Sequence, residues 1–237
     1  MKSRFVIIGR NWGVRISKII KKLGYDATIL PLSSPKNYKN YQIYKNELNR
    51  LLNTPQKKYD IVWVAIKPNK KILFDVSKIC LENNFNLIIE KPWIVGRDKT
   101  NILKKIQKKM KLLVGFNFEY VYLNFFKSII KNKNISKSTV SLNFYLKNDK
   151  LKNTHNIELG SHLLAIKKYF FSKNKNITIN TGYKKNLRKI IIKIKNKKYE
   201  FDFTYNKEKI IQKFIKDYLH CLNKKKDFKL NFDFAKI

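Results

Sequence analysis

The sequence predicts a doubly wound parallel α/β sheet followed by a smaller α+β domain with a mainly antiparallel sheet. Three observations predict it. Short apolar runs at Arg4–Ile8 and at residues 27–30, 60–66, 86–90 and 111–115 alternate with stretches of helical periodicity, the pattern of right-handed βαβ units. Residues 60–66, DIVWVAI, are apolar almost throughout, as in a strand buried on both faces. Beyond residues 117–120 the alternation stops, and strand patterns follow one another with helices to one side. The expected domains are therefore 1–118 and 119–237.

Each element has its own signal. After the first strand, Ile16, Ile19, Ile20 and Leu23 recur at helical spacing, with lysines on the opposite face, and Gly24 stops the helix. The strand at 27–30 runs into the loop Pro31-Leu-Ser-Ser-Pro35. A helix is expected over 41–52, closed by Pro55. Ile72, Leu73, Val76, Ile79 and Cys80 mark the next amphipathic helix, and a shorter one is expected near 99–109. In the second half, helices are expected over 120–130 and 157–171, and strands over 139–146, 177–183, 189–195 and 198–205. Asn196-Lys197 is the expected hairpin turn between the last two strands. Ile211, Phe214, Ile215, Tyr218, Leu219 and Leu222 mark a closing helix.

Composition narrows the function classes. The 237 residues carry a formal charge of +37. Only six of the 53 basic residues are arginine, at 4, 10, 15, 50, 97 and 188. Lysine, asparagine and isoleucine are abundant and spread along the chain, as an AT-rich genome writes by default. Selection for nucleic-acid contacts favours arginine, whose planar fork grips phosphate and guanine bidentately. Nucleic-acid binding is therefore not the expected function, although a positive field still attracts anionic ligands. No apolar run reaches the roughly 18 residues of a membrane span, and MKSRFVIIGR reads as a first strand, not a signal peptide. Cys80 and Cys221 form no C-x-x-C pair, which suits a reducing cytoplasm and argues against a cysteine-based metal site.

Ligands of parallel α/β sheets bind at the carboxyl ends of the strands. Three strand ends offer candidates: Gly9-Arg10-Asn11-Trp12-Gly13, Ile66-Lys67-Pro68 and Glu90-Lys91-Pro92. The first stands where a dinucleotide-binding protein places G-x-G-x-x-G, but its spacing is G-x-x-x-G. Gly9 permits the tight turn and Gly13 a close backbone approach at the helix start. N–H groups there would face a pyrophosphate, with Arg10 adding a phosphate contact. A lysine directly after a buried strand is either solvated beyond a strand stop or aimed into a cleft, where it can polarise a substrate oxygen.

Four segments, taken in order, resemble the Gfo/Idh/MocA oxidoreductases, which include glucose–fructose oxidoreductase and inositol dehydrogenase. They are residues 60–68, then Asn86-Leu-Ile-Ile-Glu-Lys-Pro-Trp93, then Leu113-Val-Gly-Phe-Asn117, and then Glu158-Leu-Gly-Ser-His162. The last is similar to the family's [DE]-x-G-x-H helix. The resemblance implies a Rossmann NAD(P) domain and a second domain that supplies substrate and oligomer contacts. It implies that Lys91 hydrogen-bonds the reacting oxygen, that His162 is the general acid/base, and that Glu158, four residues earlier, orients it. It implies a cis Lys91–Pro92 bond, and substrate contacts at Asn117 and Tyr120. His155 is the alternative acid/base. His162 also shares an apolar stripe with Leu159, Leu163 and Ile166, which is the pattern of a core histidine. His220 reads as structural, and Trp12, Trp63 and Trp93 as packing residues.

The first turn, G-x-x-[FW]-G, is similar to that of the thiazolinyl imine reductases, a branch of the same superfamily. At the ribose end, Ser33, Ser34 and Lys36 suit a 2′-phosphate, so NADP is slightly favoured over NAD. The alternative at that end is a polar loop without such a contact. Three features depart from the family: Glu119 stands where an arginine is common, residues 67–71 lack the usual T-P-x-x-x-H, and the chain is short. The expected function is hydride transfer to or from a carbonyl or alcohol carbon of a small polar substrate such as a sugar, nucleotide sugar or cyclitol, with anionic substrates among the candidates. A homo-oligomer is the expected assembly. Cyclic imine reduction and non-catalytic dinucleotide binding are the alternatives.

Overall fold

The computed structural model describes residues 3–30, 45, 46, 48, 49, 60–66, 69–130, 138–146, 152–183, 189–202 and 207–235. They divide into two compact units, 1–117 with 215–236, and 118–214 with residue 237.

The first unit holds a five-stranded parallel sheet of β1 (Arg4–Ile8), β2 (Asp26–Leu30), β3 (Ile61–Val64), β4 (Asn86–Glu90) and β5 (Val114–Asn117), in the order β2-β1-β3-β4-β5. Strand order reverses between β1 and β3, so the crevice outside their carboxyl ends is the place where such sheets take ligands. Helices α1 (Asn11–Lys22), α2 (Lys70–Glu82) and α3 (Arg97–Met110) connect the strands. α1 buries Ile16, Ile19 and Ile20, as its periodicity requires. Asn69 caps α2, its side chain accepting from the N–H groups of Lys71 and Ile72, both at 3.1 Å. Phe5 to Ile8, Ile61 to Val64 and Leu87 to Ile89 are all buried, as strands covered on both faces must be. Of the helix expected over 41–52, residues 45, 46, 48 and 49 are described and are helical.

Three expectations need correction. The fifth strand was expected over 111–115 but runs Val114–Asn117, because Lys111 takes the left-handed conformation (φ 53°) that ends α3. The hairpin turn is Lys195-Asn196 rather than Asn196-Lys197, with Lys195 at φ 52°. The second domain was expected to run from 119 to the end, but residues 215–236 group with the first unit. The reason is visible at β5. Phe116 N–H bonds to Leu230 O at 2.8 Å, and the Tyr218 hydroxyl reaches Leu113 O at 2.9 Å and Leu87 O at 3.3 Å. The C-terminal segment thus covers the open edge of β5, an edge that natural sheets protect. It also explains Gly115: a Cβ there would lie 2.8 Å from the Tyr218 ring and 2.9 Å from that of Phe228.

The second unit carries a four-stranded sheet, β7-β6-β8-β9, from β6 (Val140–Leu146), β7 (Ile177–Tyr183), β8 (Lys189–Ile194) and β9 (Lys197–Asp202). β6–β8 and β8–β9 are antiparallel, as expected, and β6–β7 is parallel across the intervening helix α5 (Lys152–Phe170). The helix expected over 120–130 is broken. A 3₁₀ turn, Glu119–Tyr122, meets an extended Leu123, and α4 (Asn124–Ile130) follows. Leu163 and Ile166 of α5 and Phe126 and Ile129 of α4 pack with Val140, Leu142, Phe144, Ile190 and Ile192 of the sheet. The closing helix, α6, spans Lys207–Asn223, and a last turn, α7, spans Phe232–Ala235.

Candidate active site

In the first unit the candidate residues gather at the strand-order reversal. Gly9 ends β1 with φ 149°, and a Cβ there would stand 2.2 Å from the Ala65 carbonyl oxygen at the end of β3. Only glycine fits, because the two strand ends meet at this point. Gly13 has a different reason from the one expected. Its Cβ would lie 3.1 Å from Ile7 Cγ2, so it seats α1 directly on β1. Between them Arg10 and Asn11 are exposed and Trp12 is half-buried. The Arg10 side chain does not cap the helix, and the first turn of α1 contains no acid. First-turn N–H groups lie outside the intrahelical ladder and carry the positive end of the helix dipole. This end is therefore suited to an anionic group.

Next along the sheet edge, Glu90 is buried. Its Oε1 accepts from Trp63 Nε1 at 3.0 Å and from Asn117 Nδ2 at 2.8 Å. The carboxylate thus ties the ends of β3, β4 and β5 together. Lys91 follows at the strand end, half-buried, and the Lys91–Pro92 bond is cis. Trp93 packs edge-on against Phe116 and donates its Nε1–H to Thr100 Oγ1 at 3.0 Å. Trp63 and Trp93 are thus packing residues with hydrogen-bonded indoles. Asn117 turns its amide to Glu90, and its Oδ1 has no hydrogen-bond partner among the described residues.

The second unit holds the candidate histidine. His162 on α5 is only 2 % exposed. Its ring stacks on Tyr120, with centroids 4.1 Å apart at 33°, and Phe144 lies at 6.4 Å. The surroundings are not purely apolar. Glu119 Oε1 is 3.9 Å from His162 Nε2, and the same oxygen is 3.2 Å from Lys207 Nζ. Lys207 also stands 5.7 Å over the Tyr120 ring. Glu119 and Lys207 had no place in the sequence reading. Glu119 registered only as a departure from a pattern, and nothing in sequence spacing brings Lys207 to it.

Other candidates are placed less fully. His155 and Glu158 are on α5, but their side chains lie outside the described residues, as do Ser33, Ser34, Lys36, Lys67 and Pro68 altogether. His220 is exposed on α6. Among the described residues no group of three or more His, Cys, Asp or Glu is placed to hold a metal, and no helix is long and apolar enough to cross a membrane.

Solved structures give the architecture its context. The WlbA (WbpB) dehydrogenase of Thermus thermophilus, in complex with NAD and UDP-GlcNAcA, superposes with a TM-score of 0.73 at 13% identity, over 98% of this chain and 91% of that one. The chain has the two-domain fold of the Gfo/Idh/MocA-type dehydrogenases. A myo-inositol 2-dehydrogenase of Lactobacillus plantarum gives a TM-score of 0.72 at 10% identity, over 99% and 93% of the two chains. A probable dehydrogenase of Thermotoga maritima gives 0.74 at 12%, over 98% and 92%. No protein-family profile matches the sequence. No curated protein matches it either. The likeness is thus one of backbone fold, at 10–13% identity.

Proposed function

We propose that this chain is an NAD(P)-dependent oxidoreductase that moves a hydride to or from a carbonyl or alcohol carbon of a small polar substrate. The observation that carries the proposal is the Gly9–Gly13 turn at the β1/β3 reversal, where a glycine-only strand end opens onto an uncapped, acid-free helix N-terminus. That surface fits a pyrophosphate. When bound, the nicotinamide supplies or accepts the hydride. Lys91, a cation at the end of β4, hydrogen-bonds the substrate oxygen and stabilises the charge that develops there. His162 gives a proton to that oxygen or takes one from it. Glu158, one turn earlier on α5, is the family-type orienting residue.

The substrate we propose is anionic. The formal charge of +37 attracts anions, and neighbours of this fold are seen with UDP-GlcNAcA, α-ketoglutarate and L-tartaric acid. Ser33, Ser34 and Lys36 favour NADP on residue type, whereas the neighbours named above with a cofactor hold NAD.

Melting curves with NADPH, NADH, NADP and NAD test the cofactor. A ligand at about 100 times its Kd adds roughly 2.7 kcal/mol, or about 5–10 °C for a chain of this size. A shift with one pair identifies the cofactor, and a screen of hydroxy acids, uronic acids and nucleotide sugars with that pair follows. Turnover is expected to vanish in Lys91→Ala while the cofactor shift persists. No shift with any of the four would remove the oxidoreductase reading.

A further inference from the structure

The acid–base histidine has a neighbour that the [DE]-x-G-x-H pattern does not contain. Glu119 lies on the 3₁₀ turn that follows β5, is fully buried, and directs Oε1 to within 3.9 Å of His162 Nε2. A buried carboxylate is costly unless paired, and its pair is Lys207 at the start of α6, 3.2 Å from the same oxygen and one-third exposed. Lys207 and, when protonated, His162 therefore share one oxygen. Tyr120, next to Glu119 in sequence, stacks on the imidazole and faces the Lys207 ammonium, so two members of the cluster are held against a single ring.

We propose that Glu119 is a second positioning residue of His162, beside Glu158, and that Lys207 sets how much of its carboxylate charge the imidazole feels. This proposal rests on the oxidoreductase reading. The groups that face His162 among the described residues are Glu119 from the turn, Lys207 from α6 through that carboxylate, and the uncharged rings of Tyr120 and Phe144 from the turn and β6. On its own helix Glu158 and His155 are the remaining titratable residues nearby in sequence, with side chains outside the described residues. The physics gives opposite signs to the two partners. A carboxylate within 4–6 Å favours the imidazolium by about 1–3 pH units. Removing it leaves burial and the Lys207 charge, both of which disfavour the imidazolium. Removing Lys207 instead frees the carboxylate to act on histidine alone.

The test is the titration of the imidazole by NMR, on the full chain labelled with ¹⁵N-histidine. The chain has three histidines, and His162→Asn assigns the signal. The midpoint of His162 is expected to fall by about one pH unit or more in Glu119→Gln and to rise in Lys207→Met. Midpoints equal to the wild type in both variants overturn the proposal. Should Glu119→Gln fail to fold, Lys207→Met decides alone, and an unmoved midpoint overturns it. The pH–rate profile with the cofactor pair found by melting separates this proposal from the function it serves. The limb assigned to His162 is expected to move with the NMR midpoint. A moving midpoint with an unmoved limb overturns Glu119 as a positioning residue in the reaction. Moving midpoints in a chain that binds no dinucleotide remove the oxidoreductase reading and leave only the electrostatic couple.

Discussion

Tyr218 locks the C-terminal segment onto the parallel sheet, and its two components of stability can be separated. The side chain is fully buried, its ring meets Phe228 edge-on at 5.3 Å and 75°, and its hydroxyl reaches Leu113 O and Leu87 O. One hydroxyl has one proton, so Tyr218→Phe removes one donated hydrogen bond. Leu113 O keeps the Leu87 N–H at 2.8 Å, so the better-bonded acceptor is not orphaned. The expected cost is about 1 kcal/mol, or about 2–4 °C in Tm. Tyr218→Ala also removes the ring and opens a cavity beside Gly115, costing about 3–5 kcal/mol. Thermal and urea unfolding followed by circular dichroism measure both. Equal losses in the two variants would refute the packing account, and a wild-type Tm in Tyr218→Ala would refute the docking of the C-terminal segment itself.

Further outcomes are expected at other sites. Gly9→Ala places a Cβ on the Ala65 carbonyl at a φ that L side chains rarely adopt; soluble yield or Tm is expected to collapse, and a variant with wild-type Tm would show that the turn is not as described. Glu90→Ala strands the buried Trp63 and Asn117 donors at about 1–3 kcal/mol each, whereas Glu90→Gln keeps an acceptor and is expected to cost much less; urea titration distinguishes the two. Burial pushes the Cys80 thiol up, and burial followed by Asp217 pushes up that of the less buried Cys221. A disulfide reagent is thus expected to label Cys221 alone in the native chain and both thiols in denaturant. Burial also holds the Tyr218 phenol well above its ordinary range. The unfolded phenol ionises first, so the stability it contributes is intact below pH about 10 and falls as pH rises beyond that; alkaline melting curves of wild type and Tyr218→Phe should converge there.

The parallel sheet was legible because each of its strands is a local apolar signal and each helix a periodic one. What escaped depended on residues distant in sequence. The end of β5 moved by two residues because Lys111 could terminate α3 in a left-handed conformation, a choice that apolar runs do not encode. The second domain boundary was missed because the amphipathic pattern of α6 marks an apolar face but not which sheet covers it. The pattern could not show that Tyr218 and Phe228 fill the space left by Gly115.

The same distinction governs the site. Gly9 and Gly13 were expected as glycines of a ligand turn, yet contacts within the protein already bear on both: Ala65 leaves no room for a Cβ at Gly9, and a Cβ at Gly13 would press on Ile7 at 3.1 Å. Their presence is therefore explained without a ligand, and what favours a dinucleotide is the position they hold at the strand-order reversal together with the uncapped helix that starts there. Glu119 presents the opposite case. It disagreed with the expected pattern, and packing brings its carboxylate to 3.9 Å from His162 Nε2. A carboxylate with no exposure would be untenable alone, so its burial implies the partner that the fold supplies in Lys207. A residue that breaks an expected pattern and is then buried with a compensating charge has been built into the structure, and that makes Glu119 the position at which the proposed role of His162 is tested.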